Sequence, residues 1–284
     1  MKYPFPKSIN DRTTVSVVIP VYNSGPSAVL AIESVLSQAH QCAEIIVVDD
    51  GSTDNSADLI RNYFLDQSER VQIQSIENRG AAGARNFGIS KATSDWVAFL
   101  DSDDIWLPTK LEIQVNELKK DSTISLLGSL TNMQGFNINP LRSRERLSII
   151  SSRTLLFKNY FQTSTVVIRR AILDELGGFP EGRRYAEEGD LFMRIAAKHK
   201  CVLVNEVLVD YAGGKRGFGA SGLSANLWRM ETGELNNIWR AWARGDNGLF
   251  LTSAALTFSL IKFFRRVSIR FGLRLVGVRN VQPS

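Results

Sequence analysis

Residues 96–106 read WVAFLDSDDIW, an apolar run that stops at three carboxylates within four positions. The run has the continuous apolar character of a strand buried on both faces. Asp101, Asp103 and Asp104 leave its end together, and like charges so close repel one another unless something cationic meets them. Alternate residues of an extended segment point to the same side, which puts Asp101 with Asp103. Two oxygens so placed suit a hard divalent cation, Mn²⁺ or Mg²⁺, bound together with phosphates. For Asp104 the simpler alternative is a helix N-cap ahead of Pro108.

The chain before this stretch alternates cleanly. Strands are expected at 15–20 (VSVVIP), 44–49 (EIIVVD) and 71–76 (VQIQSI), each followed by a helix, at 27–38, 55–66 and 81–91. Alternation of apolar strands with helices means a mostly parallel sheet flanked by helices, an α/β fold. In such sheets ligands bind beyond the carboxyl ends of the strands. Three strand ends here are polar: Pro20 to Asn23, Asp49 to Ser52 and Asp101 to Asp104. After them the periodicity predicts a helix at 108–119, strands at 124–130 and 163–170, and a loop-rich 131–150. A helix at 171–176, another at 187–198, an extended 202–211 and a tryptophan-bearing helix at 223–243 complete the expectation.

Composition excludes several classes. An apolar fraction of 44% and a charged fraction of 22% are those of a globule with a core. Two cysteines, Cys42 and Cys201, are too few for a disulfide framework and suit a reducing compartment. The opening MKYPFPKSINDRT has no apolar core of a signal peptide, so a cytoplasmic location is expected. The net charge of +5 is uneven: after Asp246 come six bases and no acids, so residues 1–246 sum to −1. A nucleic-acid groove is therefore a poor reading of the body.

Other polar clusters carry two readings each. Asp49-Asp50 follows a buried strand with no G-x-G-x-x-G beside it, which disfavours a dinucleotide site. A carboxylate there can accept from a uracil imino group or ribose hydroxyls, or it can cap the next helix. Arg85, within NRGAAGARNFG, can face a nucleotide or close an ion pair. Glu187, Glu188 and Asp190 crowd the first turn of a helix. They meet the helix dipole there, yet crowding raises carboxyl pKa values and so suits a general base. The glycine-rich 213–222 follows no strand into a helix, so it reads as a flap.

The ordered set VSVVIPVYN (15–23), IIVVDDGSTD (45–54), NRGAAGARNFGI (78–89), FLDSDDIWLP (99–108), LGGFPE (176–181) and EEGDLFMRI (187–195) resembles the inverting family 2 glycosyltransferases of the bacterial cell-surface polysaccharide type. The resemblance runs from about Val15 to about Tyr211. It implies a GT-A-type nucleotide-sugar-binding fold, a mixed and mostly parallel sheet with a C-terminal helical extension. A catalytic domain would occupy 1–215, with its donor half at about 15–107 and its acceptor half at about 108–215. Residues 216–284 would hold the flap and the C-terminal helices.

Roles follow from the same resemblance. Pro20 and Tyr22 would line the uracil pocket, with Asp50 on the base, Arg85 near the nucleotide and Asp101 on ribose or donor sugar. Asp103 would be the principal metal ligand. The family's catalytic base falls on Glu188, where other members usually carry Asp, with Glu187 and Asp190 as fallbacks that would contact the acceptor. The implied activity is sugar transfer from a UDP-sugar to a hydroxyl, with a lipid-linked saccharide as the expected acceptor.

Residues 249–261 are apolar and the following stretch is basic. Thirteen residues fall short of the ~20 that span a bilayer. The segment therefore either lies against an anionic membrane, at the cytoplasmic face of the inner membrane, or packs on the core. Two rival classes remain at this stage. A metal-dependent nucleotidyl- or phosphoryl-transfer enzyme would need a basic residue in PVYNSGPS, where none occurs. An inert nucleotide-binding homologue would keep the fold without the chemistry.

Overall fold

The computed structural model describes residues 13–135, 145–183, 185–211 and 226–275. The first half is built as β1 (Val15–Val21), α1 (Gly25–Leu36), β2 (Glu44–Asp49), α2 (Ser56–Tyr63), β3 (Val71–Ser75), α3 (Gly80–Lys91) and β4 (Trp96–Phe99). Then follow β5 (Ile105–Trp106), α4 (Lys110–Lys120), β6 (Ile124–Thr131), α5 (Asn132–Gly135), β7 (Leu147–Ile150) and α6 (Ser152–Phe157). The remainder is β8 (Val167–Arg169), α7 (Arg170–Leu176), α8 (Glu187–Lys198), β9 (Lys200–Asp210), α9 (Leu227–Ala243) and α10 (Leu249–Leu275).

The strands form one mixed sheet in the order β3-β2-β1-β4-β8-β6-β9-β5, with β7 also paired to β9. The first four are parallel, β8 runs antiparallel to both β4 and β6, and β9 is parallel to β6. Alternation in β1 explains the two layers. Val15, Val17, Ile19 and Val21 join one core with α1, α2 and α4, while Val18 joins the other. That second core holds α3, α6, α7 and α8, together with Ile238 and Ala241 of α9 and Ala255 of α10. Burial of these branched side chains at ~25 cal/mol per Å² is the main force holding helices to sheet.

The strand expected at 163–170 is split: Thr163–Thr165 forms a 3₁₀ turn and only Val167–Arg169 pairs. β5 and β7 are additions to the expected set, at two and four residues long. Both cysteines are buried and unpaired. The glycine-rich segment 213–222 lies outside the described residues.

The C-terminal helices pack on the sheet's helical layer: α9 lies on α8, and α10 on α9 and α6. Thr252, Ala255, Ser259 and Phe263 form the buried stripe of α10. Among the described residues no helix is long and apolar enough to cross a membrane.

Candidate active site

Three parallel strand ends lie side by side because β1 pairs with both β2 and β4. The Asp50 amide donates to the Val21 carbonyl at 2.8 Å, which sets the end of β2 against Pro20 and Tyr22. Tyr22 stands 50% exposed there. Asn23, at φ 49°, joins the two loops: its amide donates to Ser52 Oγ at 3.0 Å and its Oδ1 accepts from the Thr53 amide at 2.8 Å. The first two motifs thus form one hydrogen-bonded rim.

Asp50 is buried, and its Oδ1 accepts from the Arg79 amide at 2.7 Å. It therefore caps α3, and not the helix at 56–63. Burial pushes its pKa up, against the pull of the Arg79 and Gly80 amides.

The stretch 101–104 is a turn closed by the Asp104 amide donating to the Asp101 carbonyl at 3.1 Å. It is not the extended segment expected, so strand alternation does not set the sides on which Asp101 and Asp103 lie. Asp104 is no helix cap either. It is buried and accepts a hydrogen bond from Ser164 Oγ, which in turn accepts from the Asp101 amide at 3.0 Å. α4 begins six residues later, at Lys110. Trp106 pins the same turn, its Nε1 donating to the Ser164 carbonyl at 2.8 Å. Asp103 is left on the solvent side.

Arg85 joins the two halves of the site. It leaves α3 with only 5% of its surface exposed. Its Nη2 lies 2.6 Å from Asp101 Oδ1, its Nη1 lies 3.4 Å from Glu187 Oε1, and its guanidinium sits 5.3 Å from the Phe179 ring centroid. Arg85 thus closes an ion pair, one of the two readings its motif leaves open.

Phe179 itself is held by the Asn86 side chain, which accepts from its amide and donates to its carbonyl, both at 2.8 Å. Arg194 completes that clamp by donating to the Gly178 carbonyl at 2.6 Å.

The three acids of α8 separate in role. Glu187 faces Arg85. Asp190 is buried between Arg194, at 3.0 Å, and Arg244, at 3.1 Å. Glu188 has its pKa raised to about 7, chiefly by burial and then by Glu187, with Arg85 opposing. That value suits proton transfer near neutrality.

In the sequence Tyr211 marks only the end of the extended stretch 202–211. β5 pairs antiparallel with the end of β9, which sets Tyr211 beside the acidic turn. Its phenol is pushed up to about 12 by burial and by the charges of Asp104, Asp101, Asp103 and Glu188.

No group of three or more His, Cys, Asp or Glu side chains able to hold a metal occurs among the described residues. The oxygen donors that exist are those of a sparse site: Asp103 faces solvent, while Asp101 already meets a cation in Arg85. Such a set fits a divalent ion held through one or two carboxylates and mostly by substrate phosphates.

Comparison with known proteins gives the family and the fold. The family model described as Glycosyl transferase family 2 matches residues 16–177. An uncharacterised glycosyltransferase of Rickettsia bellii is 34% identical over 200 residues, covering 68% of this chain but 28% of that protein. The chain therefore spans well under half of that relative. Among solved structures, the mannosyltransferase PcManGT from Pyrobaculum calidifontis, in complex with GDP-Man and Mn²⁺, superposes with a TM-score of 0.68 at 21% identity. That match covers 93% of this chain and 81% of the other. S. aureus TarS in complex with UDP gives 0.64 at 19% identity, covering 89% and 72%. The chain belongs to glycosyl transferase family 2, and its fold is of the GT-A type.

Proposed function

We propose that the chain transfers a sugar, with inversion, from a nucleoside-diphosphate sugar to an acceptor hydroxyl. The observation that carries this reading is the placement of Arg85 between Asp101, on the donor side, and Glu187, next to Glu188. One buried cation thereby ties a candidate nucleotide-sugar carboxylate to the segment bearing a carboxyl poised near pH 7.

In the proposed chemistry Pro20 and Tyr22 flank the base, and Asp50 accepts a hydrogen bond from it. Arg85 orients Asp101 toward ribose or donor sugar. Asp103 would hold the divalent cation, Mn²⁺ or Mg²⁺, which when bound neutralises the diphosphate leaving group. Glu188 takes the proton of the acceptor hydroxyl as that oxygen attacks the anomeric carbon from the face opposite the diphosphate. A single displacement leaves the new bond inverted. Glu187, engaged by Arg85, steadies that segment. Asp190 binds two arginines and serves the helix rather than the proton transfer.

A uridine donor is the first choice, in line with the UDP bound by TarS; the GDP-Man of PcManGT makes a guanosine donor the next. For the acceptor we propose a lipid-linked saccharide. α10 presents Leu249, Phe250, Ile261 and Phe264 outward, with Phe250 89% exposed, and this face would rest on an anionic membrane.

The test is a thermal-shift panel of UDP, GDP, dTDP and their sugars, with and without Mn²⁺, on wild type and Asp103→Asn. Metal-dependent stabilisation by one nucleotide, lost in the variant, is the expected result. Stabilisation by none would contradict a nucleotide-sugar site.

A further inference from the structure

Helix α9 comes some forty residues after Glu188 in the chain, yet it packs on the turn from which Glu188 leaves. Ala186, the residue before α8, sits at φ 54° and ψ 28°. A residue with a Cβ pays about 1–2 kcal/mol in that left-handed region and stays there only when its surroundings hold it. Asn237 of α9 is the holder. It is 2% exposed, and its Nδ2 donates to the Ala186 carbonyl at 2.7 Å while its Oδ1 accepts from Arg183 Nη2 at 2.6 Å.

The approach is tight on both sides of this contact. A Cβ on Gly233 of α9 would lie 2.8 Å from the Tyr185 carbonyl, and one on Gly189 of α8 would lie 3.0 Å from Asn237 Nδ2. Arg244, just past α9, closes the other side by pairing with Asp190 at 3.1 Å.

We infer that Asn237 is a positioning residue for the general base: by gripping the Ala186 carbonyl it fixes the left-handed turn and hence the direction of Glu188. This rests on the proposed role of Glu188. A merely structural Asn237 would satisfy a buried carbonyl and would matter for stability alone. The distinguishing feature is that the gripped residue is the strained one. Among the described residues only Asn23 and Ala186 are non-glycines at positive φ.

The experiment compares wild type, Asn237→Ala, Asn237→Asp and the double variant Asn237→Ala/Ala186→Gly. Asn237→Asp keeps the shape and the Arg183 partner but loses the donor, so it serves if the alanine variant fails to fold. Nucleotide release from the nucleotide sugar that wild type turns over, with Mn²⁺, should show kcat down about 10- to 100-fold, as expected of a misdirected catalytic group. KM for the donor should stay within about twofold, because the donor strand ends are untouched.

Ala186→Gly removes the strain, so the double variant should recover most of the lost kcat. Amide hydrogen exchange over 185–190 should quicken in the single variants and stay unchanged in β1 to β4. Unchanged kcat with a lowered Tm, or no recovery in the double variant, would overturn the inference. Exchange decides independently of activity. If wild type turns over no nucleotide sugar, the proposed function fails, and unchanged exchange at 185–190 would then also refute the grip on the turn.

Discussion

Arg85 holds Asp101 at 2.6 Å, and this ion pair joins α3 to the acidic turn after β4. Because the guanidinium is buried and Glu187 lies on its other side, removing it leaves two carboxylates facing one another with no cation. Breaking one partner out of a buried pair costs several kcal/mol. Arg85→Met should therefore lower unfolding free energy by about 3 kcal/mol in urea titration. Arg85→Lys, which keeps the charge but cannot reach both acids, should fall between. A loss under about 1 kcal/mol for Arg85→Met would mean the pair is not a structural link.

Glu188 gives a pH-dependent prediction. The native state keeps this proton to about pH 7, whereas an unperturbed carboxyl releases it near 4.5. Stability therefore falls as pH rises from 4.5 to 7, then levels off, because the unfolded chain binds fewer protons in that window. Glu188→Gln removes the charge and should stabilise the protein by about 2 kcal/mol at pH 8, with little effect at pH 4.5. Thermal melts of both proteins at the two pH values check it. Equal melts at pH 8 would place Glu188 in ordinary solvent.

Ser164 should matter more than its small size indicates. It bonds both Asp104 and the Asp101 amide, so Ser164→Ala takes a hydrogen bond from a buried carboxylate and another from the turn's backbone. Loss of one such hydrogen bond should cost about 1 kcal/mol. The Mn²⁺-dependent shift produced by the donor nucleotide should shrink as the turn bearing Asp103 loosens. An unaltered nucleotide response would separate the turn's geometry from metal binding.

The parts read from sequence and the parts missed divide on physical lines. β2 and α8 match their expected bounds, 44–49 and 187–198, because each carries its signal locally. One is an unbroken apolar run and the other opens with three acids. β5, only two residues long, has no period of its own and exists because the end of β9 pairs with it. Asp104 looked like a cap because capping is what an acid after a strand most often does. Its partner Ser164 is 60 residues away. Arg85 and Glu187 are 102 residues apart, and Asn237 and Ala186 are 51 apart, so no local pattern joins them. The sequence motifs mark the strand ends, but which acid faces which base is decided by the sheet order.

Of the two readings of 249–271, packing on the core is the one seen, along one buried stripe of α10; the exposed apolar stripe is the part proposed to meet a membrane. Deleting the helix would uncover core at Ala255 and Phe263, so substitution is the cleaner test. Phe250→Ser, Ile261→Ser and Phe264→Ser together should reduce co-sedimentation with anionic vesicles by about tenfold or more, given ~25 cal/mol per Å² of apolar area. The melting temperature should hold, since these side chains are exposed. Undiminished vesicle binding would remove the membrane from the account.

The central claim is that Glu188 takes the acceptor proton, and turnover set against donor binding in Glu188→Gln tests it most directly. Amide for carboxylate keeps the shape and removes the base, which is worth about 10²–10⁴ in rate. The account predicts nucleotide release slowed by that factor, with affinity for the metal and nucleotide within about threefold of wild type. Near-normal turnover with intact binding would contradict it and move the role to another group of the site.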